Sequence, residues 1–417
     1  VRAAGLAPCA LVLGLLGLGC AEWRAGGDRE DASFEAIVAR VERVRGIRAA
    51  RPIDVRVVGP DEIGGVVKRV VAPERDADTL ARYEAALVTV GLWPSDRSLV
   101  DEYVEVMGEE VAGLYVPEDR ALYVVSDAPA PSSDWLASAL ARRDRMAEFA
   151  LTHELVHLLQ HQLHPELFED DELYRSQDDA AIAAQSAFEG DATYTAILAM
   201  GASVPPPDEL DVGMAESGEA LRDAPALIRE LIGFPYAEGY RLAARERAEL
   251  LEEPPASTEQ VLHPERRRAP FWSFDLAELA ASLPPGCELV FENTVGELQL
   301  SILMRDLSDP GVDPSVWDGW DGDRYLAARC AAGRELLWLT SFDSGQDAAE
   351  FAAAYLEVAP SVALRAGLGS PLRVHRVGRE VIVASQALAP LEADLERRAR
   401  RARIETLAEL REWAPRR

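Results

Sequence analysis

The stretch His153-Glu154-Leu155-Val156-His157 has the residue types and spacing to do chemistry. Two His four residues apart lie one turn apart on the same side of a helix, so both imidazoles can reach one metal ion. This HExxH spacing is that of a zinc-binding helix. Glu154 follows the first ligand and can stand beside the open position of the metal, where a water binds. The competing reading is a core helix with two hydrogen-bonded His. The flanks favour the metal: Phe149, Ala150, Leu151, Leu155, Val156, Leu158 and Leu159 make the helix apolar nearly all round. Buried imidazoles and a buried carboxylate need partners, and a metal satisfies all three groups.

A third ligand is expected from a second helix, Asp179 to Met200, rich in Ala. Glu189 sits at its middle, in Phe188-Glu189-Gly190-Asp191-Ala192, where a buried carboxylate needs a partner and small neighbours let another helix approach. The expected cage is Zn2+ on His153, His157 and Glu189 with a water in the fourth position, and Asp191 is the alternative ligand. For both acids the bland reading is a capped or salt-bridged carboxylate. A third-His cage fails on spacing. It requires Gly at position 160 and His at 163, and the chain has Gln160 and Leu163. His161 and His164 read as surface or supporting groups.

A zinc ion held this way lowers the pKa of a water to about 7 and polarises a carbonyl. Glu154 is then the expected general base, and the oxyanion donor comes from His263, Tyr240 or Tyr236. His263 is favoured because it is embedded in the polar, turn-rich segment Pro254–Pro264 after the catalytic helices. The expectation is zinc-dependent hydrolysis of a peptide or protein substrate. The rival is a non-catalytic envelope lipoprotein that uses a zincin-like fold for binding; it would keep the ligands without needing Glu154.

The elements that must position these groups are mostly helical. Phe34–Arg45 has helical spacing, and Pro52–Val58 alternates as a strand. Helices are expected near 61–71, 76–91, 97–108 and 133–163. Leu114–Val116 and Ala121–Val125 flank Pro117-Glu118-Asp119-Arg120 as a hairpin. In zinc peptidases a strand beside the metal helix commonly pairs with an extended substrate, and Gly113 would let a backbone approach closely. Residues 221–232 and 237–251 read as two helices joined by Gly233-Phe234-Pro235-Tyr236. The fold class is α+β: a mainly helical, zincin-like domain with a small sheet over 34–270, then a smaller α+β domain over 271–390. Residues 391–417 read as a basic helical tail whose Arg cluster favours internal ion pairs over lipid.

Residues 1–20 read as an export signal: Arg2, then the uncharged run Leu6–Gly19, too short for a membrane span. Leu16-Gly17-Leu18-Gly19-Cys20 resembles a bacterial lipobox, with Gly17 where Leu is usual. It implies lipidation of Cys20, a tether over 21–33, and a location in the cell envelope, with free secretion as the alternative. A net charge of −29 argues against a nucleic-acid partner. Cys287 and Cys330 either form one disulfide or remain two buried thiols.

A family resemblance adds to this. Gly91-Leu92-Trp93-Pro94, Glu110–Pro117, the HExxH with Leu159-Gln160, Glu189-Gly190-Asp191-Ala192, Pro235-Tyr236 with Gly239, and Ser257–Pro264 stand in an order similar to a set of uncharacterised bacterial HExxH proteins. These resemble gluzincin-type zinc metallopeptidases, and the likeness covers about residues 40–385. Two departures stand out. His161 occupies a position where such proteins carry Asp. Thr193 stands four residues after Glu189, where many gluzincins carry an Asp, so support for the ligand imidazoles must come from elsewhere.

Overall fold

The computed structural model describes residues 34–72, 77–110, 113–125, 145–170, 175–201, 219–247, 249–308 and 312–414. The signal segment, the tether and Cys20 lie outside the described residues, as does the stretch 126–144 at the start of the expected 133–163 helix. The architecture is α+β, with a mainly helical N-terminal region and a C-terminal region built on a five-stranded antiparallel sheet.

The N-terminal sheet has the order β1 (Asp54–Val58), β3 (Ala121–Val125), β2 (Gly113–Val116). β1 runs parallel to β3, and β2 returns antiparallel through the expected hairpin. Alternation along β2 and β3 separates two apolar clusters. Leu114, Val116, Ala121 and Tyr123 face the large core, whereas Tyr115, Leu122 and Val124 face the helix Phe34–Arg45 and the motif helix Arg145–Leu163. The motif helix contributes Leu151, Leu155, Val156, Leu158 and Leu159 to that second cluster.

The helix Asp178–Ala199 is buried along almost its whole length. It crosses the helix Ala226–Glu246 at Gly190 and Gly239. Here the sequence reading is corrected. Gly233-Phe234-Pro235-Tyr236 is not a joint between two helices but the middle of one. Pro235 removes one helical hydrogen bond, and the burial of Ile228, Ile232, Phe234, Tyr236 and Tyr240 holds the helix through it. The turn-rich reading of 254–264 is corrected too. Ser257 caps a short helix, Thr258–Leu262, by accepting from the Gln260 amide.

The C-terminal sheet has the order β5 (Glu288–Asn293), β6 (Trp320–Cys330), β7 (Gly333–Phe342), β9 (Glu380–Ser385), β8 (Leu372–Val377). All its pairs are antiparallel. The helices Gly296–Leu307 and Gly345–Ala366 pack on it. A single apolar cluster runs from Tyr83 and Leu87 through Phe291, Val295 and Leu303 to Trp338 and Tyr355, so the two regions share one core across residue 270. Cys287 and Cys330 are disulfide-bonded, which fits a chain that folds outside a reducing compartment. Among the described residues no helix is long and apolar enough to cross a membrane.

The helical reading of the tail is corrected at its Arg cluster. Among the described residues of the tail, the α-helices are Glu392–Arg398 and Leu407–Trp413. Between them β10 (Arg400–Ile404) pairs antiparallel with β4 (Phe271–Asp275), a strand the sequence reading also missed. The internal ion pairing is present: Arg400 reaches Asp275 at 3.3 Å, Arg403 reaches Asp321 at 2.6 Å, and Arg401 pairs with Glu380.

Candidate metal centre

The motif helix carries His153 and His157 on the side that faces the helix Asp178–Ala199, and Glu189 meets them there. His153 Nε2 lies 2.9 Å from His157 Nε2 and 3.0 Å from Glu189 Oε2, and His157 Nε2 lies 3.2 Å from the same oxygen. All three side chains are buried. The ligand atoms of a tetrahedral zinc at about 2.0–2.1 Å stand about 3.3 Å apart, so this triangle fits one face of such a site. The donor set, two imidazoles and a carboxylate, is that of a catalytic zinc with an open position. Around it, His153 Nδ1, Glu154 Oε1, Glu189 Oε1 and the Tyr236 hydroxyl are buried without a hydrogen-bond partner. The described residues thus hold a buried group able to bind a metal ion.

Electrostatics follow from burial and proximity. Burial alone raises the Glu189 carboxyl, but His157 and His153 beside it outweigh this and hold it down at about 2. Burial lowers His153. Burial also acts to lower His157, yet Glu189 pulls it up to about 9. Glu154 is not paired in this way, so burial drives it up to about 8, against the opposing pull of His157 and the Tyr115 amide.

Two supports orient the site. The first replaces the carboxylate that Thr193 does not supply. His157 Nδ1 stands 2.8 Å from Gln160 Oε1, a carbonyl oxygen that only accepts, so the ring proton sits on Nδ1 and Nε2 is left free for a ligand role. Gln160 Nε2 in turn donates to Asp191 Oδ2 at 3.0 Å and to the Phe188 carbonyl at 3.1 Å. Asp191, weighed above as a ligand, is held instead by Gln160 and by Arg45 at 3.1 Å, with Arg247 at 3.6 Å. The second support fixes Glu154. Its Oε2 accepts the Tyr115 amide of the edge strand β2 at 2.7 Å. The Tyr115 hydroxyl is hydrogen-bonded to His161 Nδ1 at 2.7 Å, and His161 Nε2 reaches Glu169 at 3.2 Å. His161 is therefore a buried supporting group, and its ring stacks on Phe168. His164 stands near Glu166 at 3.6 Å. A methyl group on Gly113 would meet the Tyr123 carbonyl at 3.5 Å, an ordinary contact, so no close approach requires that glycine.

The three candidate oxyanion donors separate. Tyr236 faces the triad: its ring lies 5.8 Å from that of His153, and its hydroxyl is pushed well up by burial and by the charges of Glu189 and Glu154. Tyr240, one turn on, packs its ring 5.9 Å from Tyr194. Burial and Tyr194 raise its pKa to about 12. His263 makes no hydrogen bond, ion pair or ring contact with the triad; it bonds Glu297 at 2.8 Å. Sequence reasoning missed Tyr103, which is buried near Glu189; burial and that carboxylate push its hydroxyl up. Its place on the helix Leu99–Glu110 gave no local signal.

A family model described as a domain of unknown function (DUF8575) matches residues 288–397, the span of the five-stranded sheet. No curated protein and no solved structure matches the chain.

Proposed function

We propose that the chain is an exported zinc-dependent metallopeptidase, held at the cell envelope through lipid on Cys20. The observation that carries this reading is the placement of Glu154. It stands beside a His-His-Glu triangle of zinc dimensions, anchored through one oxygen to an edge strand while the other oxygen is unpartnered.

His153, His157 and Glu189 would hold the ion. When bound, zinc supplies Lewis acidity, which polarises a carbonyl and acidifies a water. The chain's own residues supply the rest. Glu154 Oε1 takes the proton of the attacking water and returns it to the leaving amine, and a carboxyl pushed up to about 8 by burial suits both halves of that transfer. The Tyr236 hydroxyl donates to the oxygen that becomes negative in the transition state.

The test is zinc content and peptide cleavage by the purified mature chain and by Glu154→Gln. Gln keeps an oxygen for the Tyr115 amide but cannot act as a base. The variant is expected to bind zinc like wild type and to lose about 10²–10⁴-fold in kcat/KM. Stoichiometric zinc with no cleavage of any peptide in a broad library overturns the reading.

A further inference from the structure

His263 takes no part in the triad, yet it is set in a cluster with the makings of a ligand site. Its Nε2 lies 2.8 Å from Glu297 Oε1, and Asp318 brings a carboxylate so that all three ligand atoms fall within 4.8 Å of one another. His263 follows the short helix Thr258–Leu262, Glu297 lies in the first turn of Gly296–Leu307, and Asp318 lies in the turn before β6. Glu297 is 1% exposed, and its second oxygen has no hydrogen-bond partner. An anionic oxygen left alone in the interior is costly.

The surrounding charge is unbalanced in the same direction. Glu259 and Asp343 stand next to the cluster, and Arg266 is the cation they share, at 3.0 Å and 2.8 Å. Arg266 also donates to the Asp318 main-chain carbonyl, not to its carboxylate. With Glu265, 3.7 Å from His263 Nδ1, five carboxylates thus face one guanidinium and one imidazole among the described residues.

We propose that His263, Glu297 and Asp318 form a second metal site, distinct from the His153 triad, which takes a divalent first-row ion. One imidazole with two carboxylates suits zinc or manganese better than calcium or magnesium, whose sites are built from oxygen alone. Ligand atoms on a tetrahedral ion of this kind stand about 3.3 Å apart, so small rotations of the part-exposed His263 and Asp318 close the cluster. The ion would tie the segment before residue 270 to the region of the five-stranded sheet, a structural role rather than a catalytic one.

The experiment is zinc loading of the full mature chain, removal of excess ion, and measurement of zinc per chain by mass spectrometry. Wild type is expected to hold two equivalents, His263→Ala one and Asp318→Asn one. Glu189→Gln, which disables the triad instead, is also expected to hold one. The double variant Glu189→Gln/Asp318→Asn is expected to hold none. Peptide cleavage by Asp318→Asn should persist, which separates this site from the proposed catalytic one. If His263→Ala does not fold, Asp318→Asn, changed at a part-exposed turn, decides. Glu189→Gln holding none, or zinc content that neither His263→Ala nor Asp318→Asn lowers below wild type, overturns the proposal.

Discussion

Gly190 and Gly239 touch backbone to backbone. A methyl group built on Gly190 would fall 1.9 Å from the Gly239 carbonyl oxygen, and one on Gly239 would fall 2.1 Å from the Ser186 carbonyl oxygen. This crossing decides the candidate site. Glu189 precedes one glycine, and Tyr236 stands three residues before the other, so the approach of the two helices brings the carboxylate and the phenol to the same place.

Gly239→Ala should therefore force the helices apart. The expected cost is about 3 kcal/mol of stability, typical of overpacking against backbone that cannot give way, together with weaker zinc binding. Chemical denaturation and metal titration check both. Unchanged stability would mean that the crossing is looser than the contact distances indicate.

Gln160 is expected to set the affinity of the triad without touching the ion. Gln160→Leu removes the acceptor for His157 Nδ1 and the link to Asp191. Loss of such support typically costs 10- to 100-fold in metal affinity. Competition with a zinc chelator measures it. Glu154 is not involved, so kcat at saturating zinc should fall much less than affinity.

Tyr236→Phe distinguishes a catalytic phenol from a packing residue. The hydroxyl is buried beside Glu189, so its removal should change stability by no more than about 1 kcal/mol. If it stabilises the oxyanion, kcat should fall about 10²–10³-fold with little change in KM. Tyr240→Phe, whose ring packs on Tyr194, is the control expected to keep kcat.

Stability should fall as pH rises from about 4 to 8. Burial raises Asp178 to about 6 and Glu259 to about 8, well above the ordinary carboxylate range. A folded state with raised carboxyl pKa values binds more protons than the unfolded chain. Its advantage is complete below the unfolded pKa values and is lost as pH passes through the folded ones. Urea midpoints at pH 5 and pH 8 in chelator should show the decline. Asp178→Asn should flatten its lower half, since Tyr83 and Asn293 hold the ionisable Asp178 oxygens in wild type.

Much of the candidate site was legible because its information is local. The i, i+4 spacing of His153 and His157, and a lone Glu189 in an Ala-rich helix, are properties of single helices, and helical periodicity is written in consecutive residues. The hairpin at Pro117–Arg120 was readable for the same reason. The Arg400–Ile404 strand was not. Its alternation is confined to Arg401-Ala402-Arg403-Ile404, too short to stand out from the Arg-rich run around it, and the distant partner Phe271–Asp275 makes it a strand. Pro235 likewise looked like a break, because local propensity counts the lost hydrogen bond and not the burial that outweighs it.

The sequence by itself determined the pair of imidazoles, the adjacent Glu154 and the carboxylate, Glu189, that meets them. Tertiary structure alone decided which phenol faces them, what supports His157, and where His263 belongs. Those three depend on helix crossings and on side chains from elements far apart in the chain. Tyr236 reaches the triad through the Gly190–Gly239 contact. Gln160 lies three residues from His157 on the same helix, and Asp191 and the Phe188 carbonyl of the helix packed beside it orient its amide. His263 is drawn to Glu297 and Asp318 by the fold of a region that begins after it in the chain.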